Sequence, residues 1–148
     1  MMTMPMQIRR VGDPVLRTEV KEVVEVTDKI RNLLDNMAKK MYQADGVGLA
    51  APQVGISKQL VVIDIGQGLI ELINPQIIQK SEKTYIDQEA CLSIPNQTGK
   101  VERNYKVTVK ALNRHGEEIK LEGKGSLARA FQHEIDHLQG ILFIDKVI

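Results

Sequence analysis

The stretch Ser126 to Gly140, SLARAFQHEIDHLQG, constrains this chain more than any other. At about 100° per residue its side chains sort into three groups around a helix. Leu127, Phe131, Ile135 and Leu138 form an apolar stripe, and Ala130, His133, Glu134 and His137 lie beside it. Arg129, Gln132, Asp136 and Gln139 form a narrower polar strip, the one part that looks meant for water. A helix with so little polar circumference belongs at the centre of a small fold. Ser126 is expected as its N-cap and Gly140 as its C-terminal stop. His133 and His137 stand one turn apart on one face. Two imidazoles so placed can share a metal ion, with the intervening Glu134 as general base. A buried histidine pair without metal would instead need hydrogen-bonding partners for both rings inside the protein.

The rest of the chain reads as the setting for that helix. Its 148 residues suffice for a hydrophobic core and are expected to form a single domain, 1–148. Thr27 or Asp28 can cap a helix whose inward positions are Ile30, Leu33, Leu34, Met37 and Met41, ending before Gly46. Residues 46–55 (GVGLAAPQVG) break every period, and their small side chains let backbone approach something closely. Strands are expected at Leu60–Ile65, at Leu69–Ile78 with a break at Pro75, at Glu82–Asp87 and at Tyr105–Leu112. Glu117–Glu122 completes a hairpin across Asn113–Gly116, and Ile141–Ile144 reads as a last short strand. Gly12-Asp13-Pro14 marks a turn anchored by Val15 and Leu16. Strands come in runs rather than alternating with helices. The expected class is therefore α+β, with antiparallel sheets packed around a central metal-binding helix.

Charge and cysteine content exclude several function classes. The net charge is +1, with acids and bases interspersed, so there is no nucleic-acid or membrane-surface signal. The lone Cys91 forbids an intrachain disulfide and fits a reducing compartment. The N-terminal MMTMPMQIRR lacks the apolar core of a signal peptide, so a cytoplasmic location is expected.

A catalytic metal site takes three protein ligands and leaves one position for water. The third ligand could be His115, Cys91 or one of the acids. His115 sits between charged neighbours in a hairpin turn, where solvation is the plainer reading. Cys91 could equally be an inert buried thiol, but a thiolate would complete the site well. It would also weaken the ion's pull on bound water, which makes Glu134 more necessary.

Three motifs in order bring a family into view. GVGLAAPQ (46–53), EACLS (89–93) and QHEIDHLQG (132–140) resemble the signature motifs of peptide deformylases, and GDPVLR (12–17) is similar to that family's N-terminal region. The resemblance implies that Cys91, His133 and His137 hold one divalent metal ion, with water in the fourth position. It implies Fe²⁺ as the working ion, with Zn²⁺, Ni²⁺ or Co²⁺ able to replace it. Glu134 would take a proton from that water and deliver one to the leaving amine. The Gln53 side chain and the Leu92 N–H would stabilise the oxyanion. Val47, Gly48 and Leu92 would contact the substrate, the first two presenting backbone to it as an added strand. Glu89 and Arg103 would pair to brace the segment carrying Cys91. The implied reaction removes the formyl group from the N-terminal formylmethionine of newly made proteins, releasing formate. Nascent peptides are the implied partners, with the ribosome near its exit tunnel as a further one. An apolar slot for methionine is expected from Val47, Leu92, Ala130 and the stem of Arg129.

The chain departs from the family pattern in places. Ala90 stands where the second motif usually has glycine. If the position needed φ > 0, alanine would cost on the order of 1 kcal/mol. If it needed only closeness to substrate, the methyl would alter peptide affinity. Thr98 stands where some members carry a basic residue. The chain ends soon after Phe143, where some members continue into a ribosome-contacting helix. Two other readings compete: a general zinc endopeptidase, with Asp145 as the one downstream acid able to coordinate, and a silent relative that only binds peptide N-termini.

Overall fold

The structure, a computed structural model, describes residues 6–148. The first five residues of the segment read for a signal peptide lie outside the described residues. Helix α1 spans Asp28–Gln43, with Thr27 as N-cap accepting from Ile30 N. Strands β1 (Gly48–Ala50), β2 (Leu60–Ile63), β3 (Ile70–Lys80), β6 (Lys106–Leu112) and β7 (Glu118–Lys124) form one antiparallel sheet in the order β1-β2-β3-β6-β7. Strands β4 (Thr84–Cys91) and β5 (Ile94–Asn104) form a separate antiparallel hairpin. Helix α2 spans Ser126–Leu138. The class is α+β, as expected.

Period-two patterning explains why the sheet carries a helix on each face. Val61 and Ile63 of β2 point one way, joining Leu72, Val107, Val109 and Ala111 under Phe131, Ile135 and Leu138 of α2. Leu60 and Val62 point the other way, against Ile30, Leu34, Met37 and Met41 of α1. A strand covered on both faces reads as an unbroken apolar run, which is why LVVI is legible in the sequence. Full burial of Phe131 alone is worth about 1.5–3 kcal/mol. A third cluster joins Leu16, Ile94, Val101, Leu142 and Phe143 beneath the hairpin.

Several local expectations need correction. Pro75 does not break β3. The strand runs through it across a register shift between Ile73 and Gln76, where Asn74 takes φ 53°. Asparagine tolerates that conformation, and its side chain makes two 2.8 Å bonds to the backbone of Val23. The segment 46–55 is not irregular throughout; it contains β1 and a 3₁₀ turn, Ala51–Val54. Ile141–Ile144 is not a strand, and a 3₁₀ turn at Phe143–Asp145 puts Phe143 in the third cluster. Ser126 is the first residue of α2 rather than its cap. The cap position is Gly125, at φ 58°, whose N–H donates to Tyr105 O, so β7 runs directly into the helix. Gly140, at φ 75°, does end the helix. Among the described residues no helix is long and apolar enough to cross a membrane.

Candidate metal centre

Helix α2 and hairpin β4–β5 divide the site between them. The helix presents His133 and His137 from adjacent turns, both buried. The hairpin presents Cys91 from the last position of β4, where pairing slips between Ala90 and Cys91. The slip turns the thiol toward the helix. Cys91 Sγ lies 3.3 Å from His137 Nε2, and the ligand atoms of Cys91, His133 and His137 all fall within 4.8 Å of one another. His115, the other histidine weighed as a ligand, is exposed in its turn. Asp145 is committed elsewhere, to Arg17 and the Leu142 N–H, which removes the acid that the endopeptidase reading needed.

The donor set fits a divalent cation. His133 Nδ1 meets Glu89 Oε1 at 2.8 Å, which leaves Nε2 for the ion. Glu134 Oε1 is buried without any hydrogen-bond partner, as is His137 Nδ1 on the side of its ring away from Cys91. One thiolate and two imidazoles suit a borderline-soft ion in a four-coordinate site. Burial and the neighbouring His133 depress His137 to a pKa of about 3, so it is neutral and able to ligate. Burial opposes protonation of His133 as well, but hydrogen bonds to Cys91 and Glu89 win and raise it to about 10. Binding of a cation through that ring would release its proton. Burial, helped by the like charges of Glu89 and Asp136, raises Glu134 to about 7 against the opposing charges of His133 and Arg103. A carboxylate poised near neutrality is suited to proton transfer.

The other expected residues lie as follows around these atoms. Gln53 is buried; its Oε1 accepts from Ala50 N at 2.9 Å, and its Nε2 donates to Ser93 Oγ at 3.2 Å and Cys91 Sγ at 3.4 Å. The side-chain amide thus faces the thiol. Val47 O accepts from Asp64 N, so by antiparallel alternation the backbone groups of Gly48 face the free edge of the sheet. A Cβ at Gly48 would meet Glu134 Oε2 at 2.5 Å, so only glycine lets this edge approach the carboxylate so closely. Glu89 and Arg103 form a buried bidentate pair at 2.8 and 2.9 Å. Burial opposes ionisation of Glu89, but its bonds to Arg103 and His133 prevail and hold it well below the usual carboxylate range.

A cleft of about 360 Å³ opens beside Glu134 and His133, with Val47, Ile65, Ala90 and Ala130 on its walls. Leu92 does not line it. The Leu92 side chain packs toward Gly46 and borders a different surface depression with Arg10 and Lys40, so its expected place in the methionine slot is corrected. Ala90 is an exposed residue of β4 without a positive φ, so its methyl carries no backbone strain. Thr98 pairs with it across the hairpin and is exposed.

The polar strip of α2 is the larger correction. Arg129 and Gln132 are buried, not solvated. Gln132 bridges to both backbone groups of Asn104. Arg129 bonds Glu89, and Asp136 bonds Arg103. The signal for Arg129 was present in its spacing, because it precedes His133 by one helical turn and so shares a face with the ligands.

A family model described as polypeptide deformylase matches residues 5–148. The chain belongs to the polypeptide deformylase family. The peptide deformylase of Halothermothrix orenii is 63% identical over 145 residues, covering 97% of this chain and 94% of that protein. That of Carboxydothermus hydrogenoformans is 56% identical over 140 residues, covering 95% and 91%. The crystal structure of the Thermotoga maritima peptide deformylase superposes with a TM-score of 0.96 at 42% identity and covers 99% of each chain. The Synechococcus elongatus peptide deformylase, solved in complex with actinonin, gives 0.95 at 45% identity, covering 97% of this chain and 79% of that one. The deformylase fold is therefore shared along the whole described chain, hairpin included.

Proposed function

We propose that this chain hydrolyses the formyl group from the N-terminal formylmethionine of newly made proteins, releasing formate and a free amine. One observation carries the reading: three candidate ligand atoms within 4.8 Å of one another adjoin the buried, unpartnered Glu134 on a cleft edged by Val47, the residue before β1. Cys91, His133 and His137 would hold a divalent ion, Fe²⁺ in the working enzyme and replaceable by Zn²⁺, Ni²⁺ or Co²⁺. That ion, when bound, supplies Lewis acidity, which acidifies water and polarises a carbonyl.

The chain's own groups do the rest. The peptide lies as an added strand along the free edge that Gly48 presents, beside the Val47 side chain rather than its inward-bonded backbone, with its methionine side chain in the apolar part of the cleft. Glu134 accepts a proton from the attacking water as the new C–O bond forms. The Gln53 Nε2–H and the Leu92 N–H donate to the oxyanion that develops on the formyl oxygen. The C–N bond then breaks, and Glu134 returns its proton to the leaving amine. Glu89 fixes the His133 ring, and Arg103 fixes Glu89. Formyl is the smallest acyl group, so a tight cleft admits it and excludes ordinary peptide bonds. The location is cytoplasmic, where nascent chains carry the formyl group, and encounter near the ribosomal exit tunnel follows from that substrate.

Anaerobically purified protein should release formate from formyl-Met-Ala-Ser. Glu134→Ala should keep its metal and lose at least roughly 10²–10⁴-fold in turnover. Wild-type turnover by that variant would sink the assignment of Glu134. Absence of formate from metal-replete wild type would leave a silent peptide-binding relative.

A further inference from the structure

Glu89 is gripped by arginines rooted in two different elements. Arg103 of β5 gives a fork, Nε to Oε2 at 2.8 Å and Nη2 to Oε1 at 2.9 Å. Arg129 of α2 approaches separately, with Nη1 on Oε2 at 2.5 Å. The same Nη1 reaches Val101 O at 2.9 Å, and Nη2 reaches Tyr85 O at 3.1 Å. The guanidinium carbon sits 4.5 Å from the centre of the Tyr85 ring, on its face. One side chain thus ties α2 to both strands of the hairpin. Arg103 makes the reciprocal link, with Nη1 on Asp136 Oδ2 of α2 at 2.6 Å.

We infer that Arg129 is a positioning residue of the metal centre. It locks Glu89, and so the ring of His133, and it sets the gap between the helix bearing two ligands and the hairpin bearing the third. The inference rests on the metal-centre reading above. Apart from the His133 ring that it must hold, Glu89 without Arg129 would rest on the Arg103 fork alone and could tilt about it. Arg129, a second donor from the helix side, removes that freedom. Burying a guanidinium whose side chain is only 10% exposed is expensive unless its donors are used. An apolar residue would serve as well for the cleft wall, so wall-lining does not explain the charge. The contacts with Glu89, Val101 and Tyr85 do.

Arg129→Met should lose its bound ion to a chelator about 10–100-fold faster than wild type. Its cobalt form should show displaced visible bands. Arg129→Lys should recover part of both, because lysine restores the charge but not the fork. Unchanged chelation kinetics and unchanged cobalt bands overturn the inference. So does a lowered thermal midpoint of metal-free protein with wild-type cobalt bands, since that marks a merely structural role. If Arg129→Met does not fold, Tyr85→Leu removes the stacked ring while keeping the carbonyl acceptor. It should speed metal loss several-fold, and an unchanged rate overturns the inference. Cys91→Ser serves as the reference. If it holds metal like wild type, the metal-centre reading itself has failed. If it loses metal while Arg129→Met behaves as wild type, only the role of Arg129 has failed.

Discussion

Helix α2 and hairpin β4–β5 meet at the metal centre but are held in place by different forces. The helix is seated by apolar burial, with Phe131, Ile135 and Leu138 packed on the sheet. The hairpin is mostly exposed, and Glu89 is the one fully buried residue of β4. Its attachment is largely polar: the ion pairs Glu89–Arg129 and Arg103–Asp136, with Gln132 bonded to the Asn104 backbone, and Glu89–Arg103 braces the hairpin from within. The apolar exceptions, Ile94 and Val101, belong to the small third cluster. Burial fixes the helix without regard to direction, whereas charge-assisted hydrogen bonds fix atoms to tenths of an ångström. The site therefore has a helix placed by packing and a thiol placed by directed polar contacts.

Substitutions on the two sides should separate these forces. Phe131→Ala should cost about 3–5 kcal/mol of stability, because a large ring leaves a cavity under the helix. Protein that remains folded should keep its metal, since no ligand contact is removed. Denaturant unfolding and metal analysis would check this, and rapid metal loss from folded protein would show that packing also tunes the ligands. Arg103→Met should cost less, about 1.5–3 kcal/mol, because Glu89 retains Arg129 and His133. Its metal affinity should nevertheless fall roughly 10–100-fold, reversing the order seen for Phe131→Ala. Equal metal affinity in the two variants would erase the distinction. Ala90→Gly should have the smallest effect, a loss of about 0.5–1 kcal/mol from added backbone freedom in a strand. Steady-state formate release checks its functional side. A large gain in kcat/KM would mean that the Ala90 methyl obstructs the peptide.

The same contrast explains what was legible in the sequence. Helix α2 announced itself because its apolar period is 3.6 and its two histidines stand at i and i+4. The hairpin did so only in part: the strand expected at Glu82–Asp87 catches the first half of β4, and β5 was not expected. Strand β5 reads IPNQTGKVERN, with proline, asparagine and glycine where a strand signal needs branched side chains. β4 is the one full strand it pairs with, beside a single bridge from Val101 to Val147, so neither strand carries a clean apolar alternation. Cys91 was recognisable through the EACLS motif rather than through any periodicity. Arg129 lines the cleft, but its guanidinium was misplaced in the water-facing strip because a charged residue on the far edge of an apolar stripe ordinarily faces water. Nothing local in the sequence says that Glu89, forty residues earlier in the chain, comes to meet it.

Metal add-back tests the central claim most directly, that one ion shared between helix and hairpin powers the reaction. Chelator-stripped protein would be titrated anaerobically with Fe²⁺ or Ni²⁺ while formate release from formyl-Met-Ala-Ser is followed. Activity should climb in proportion to metal and level off at one equivalent per chain, and Cys91→Ser should show no such climb. Full activity in the stripped protein, or a Cys91→Ser titration identical to wild type, would contradict the account.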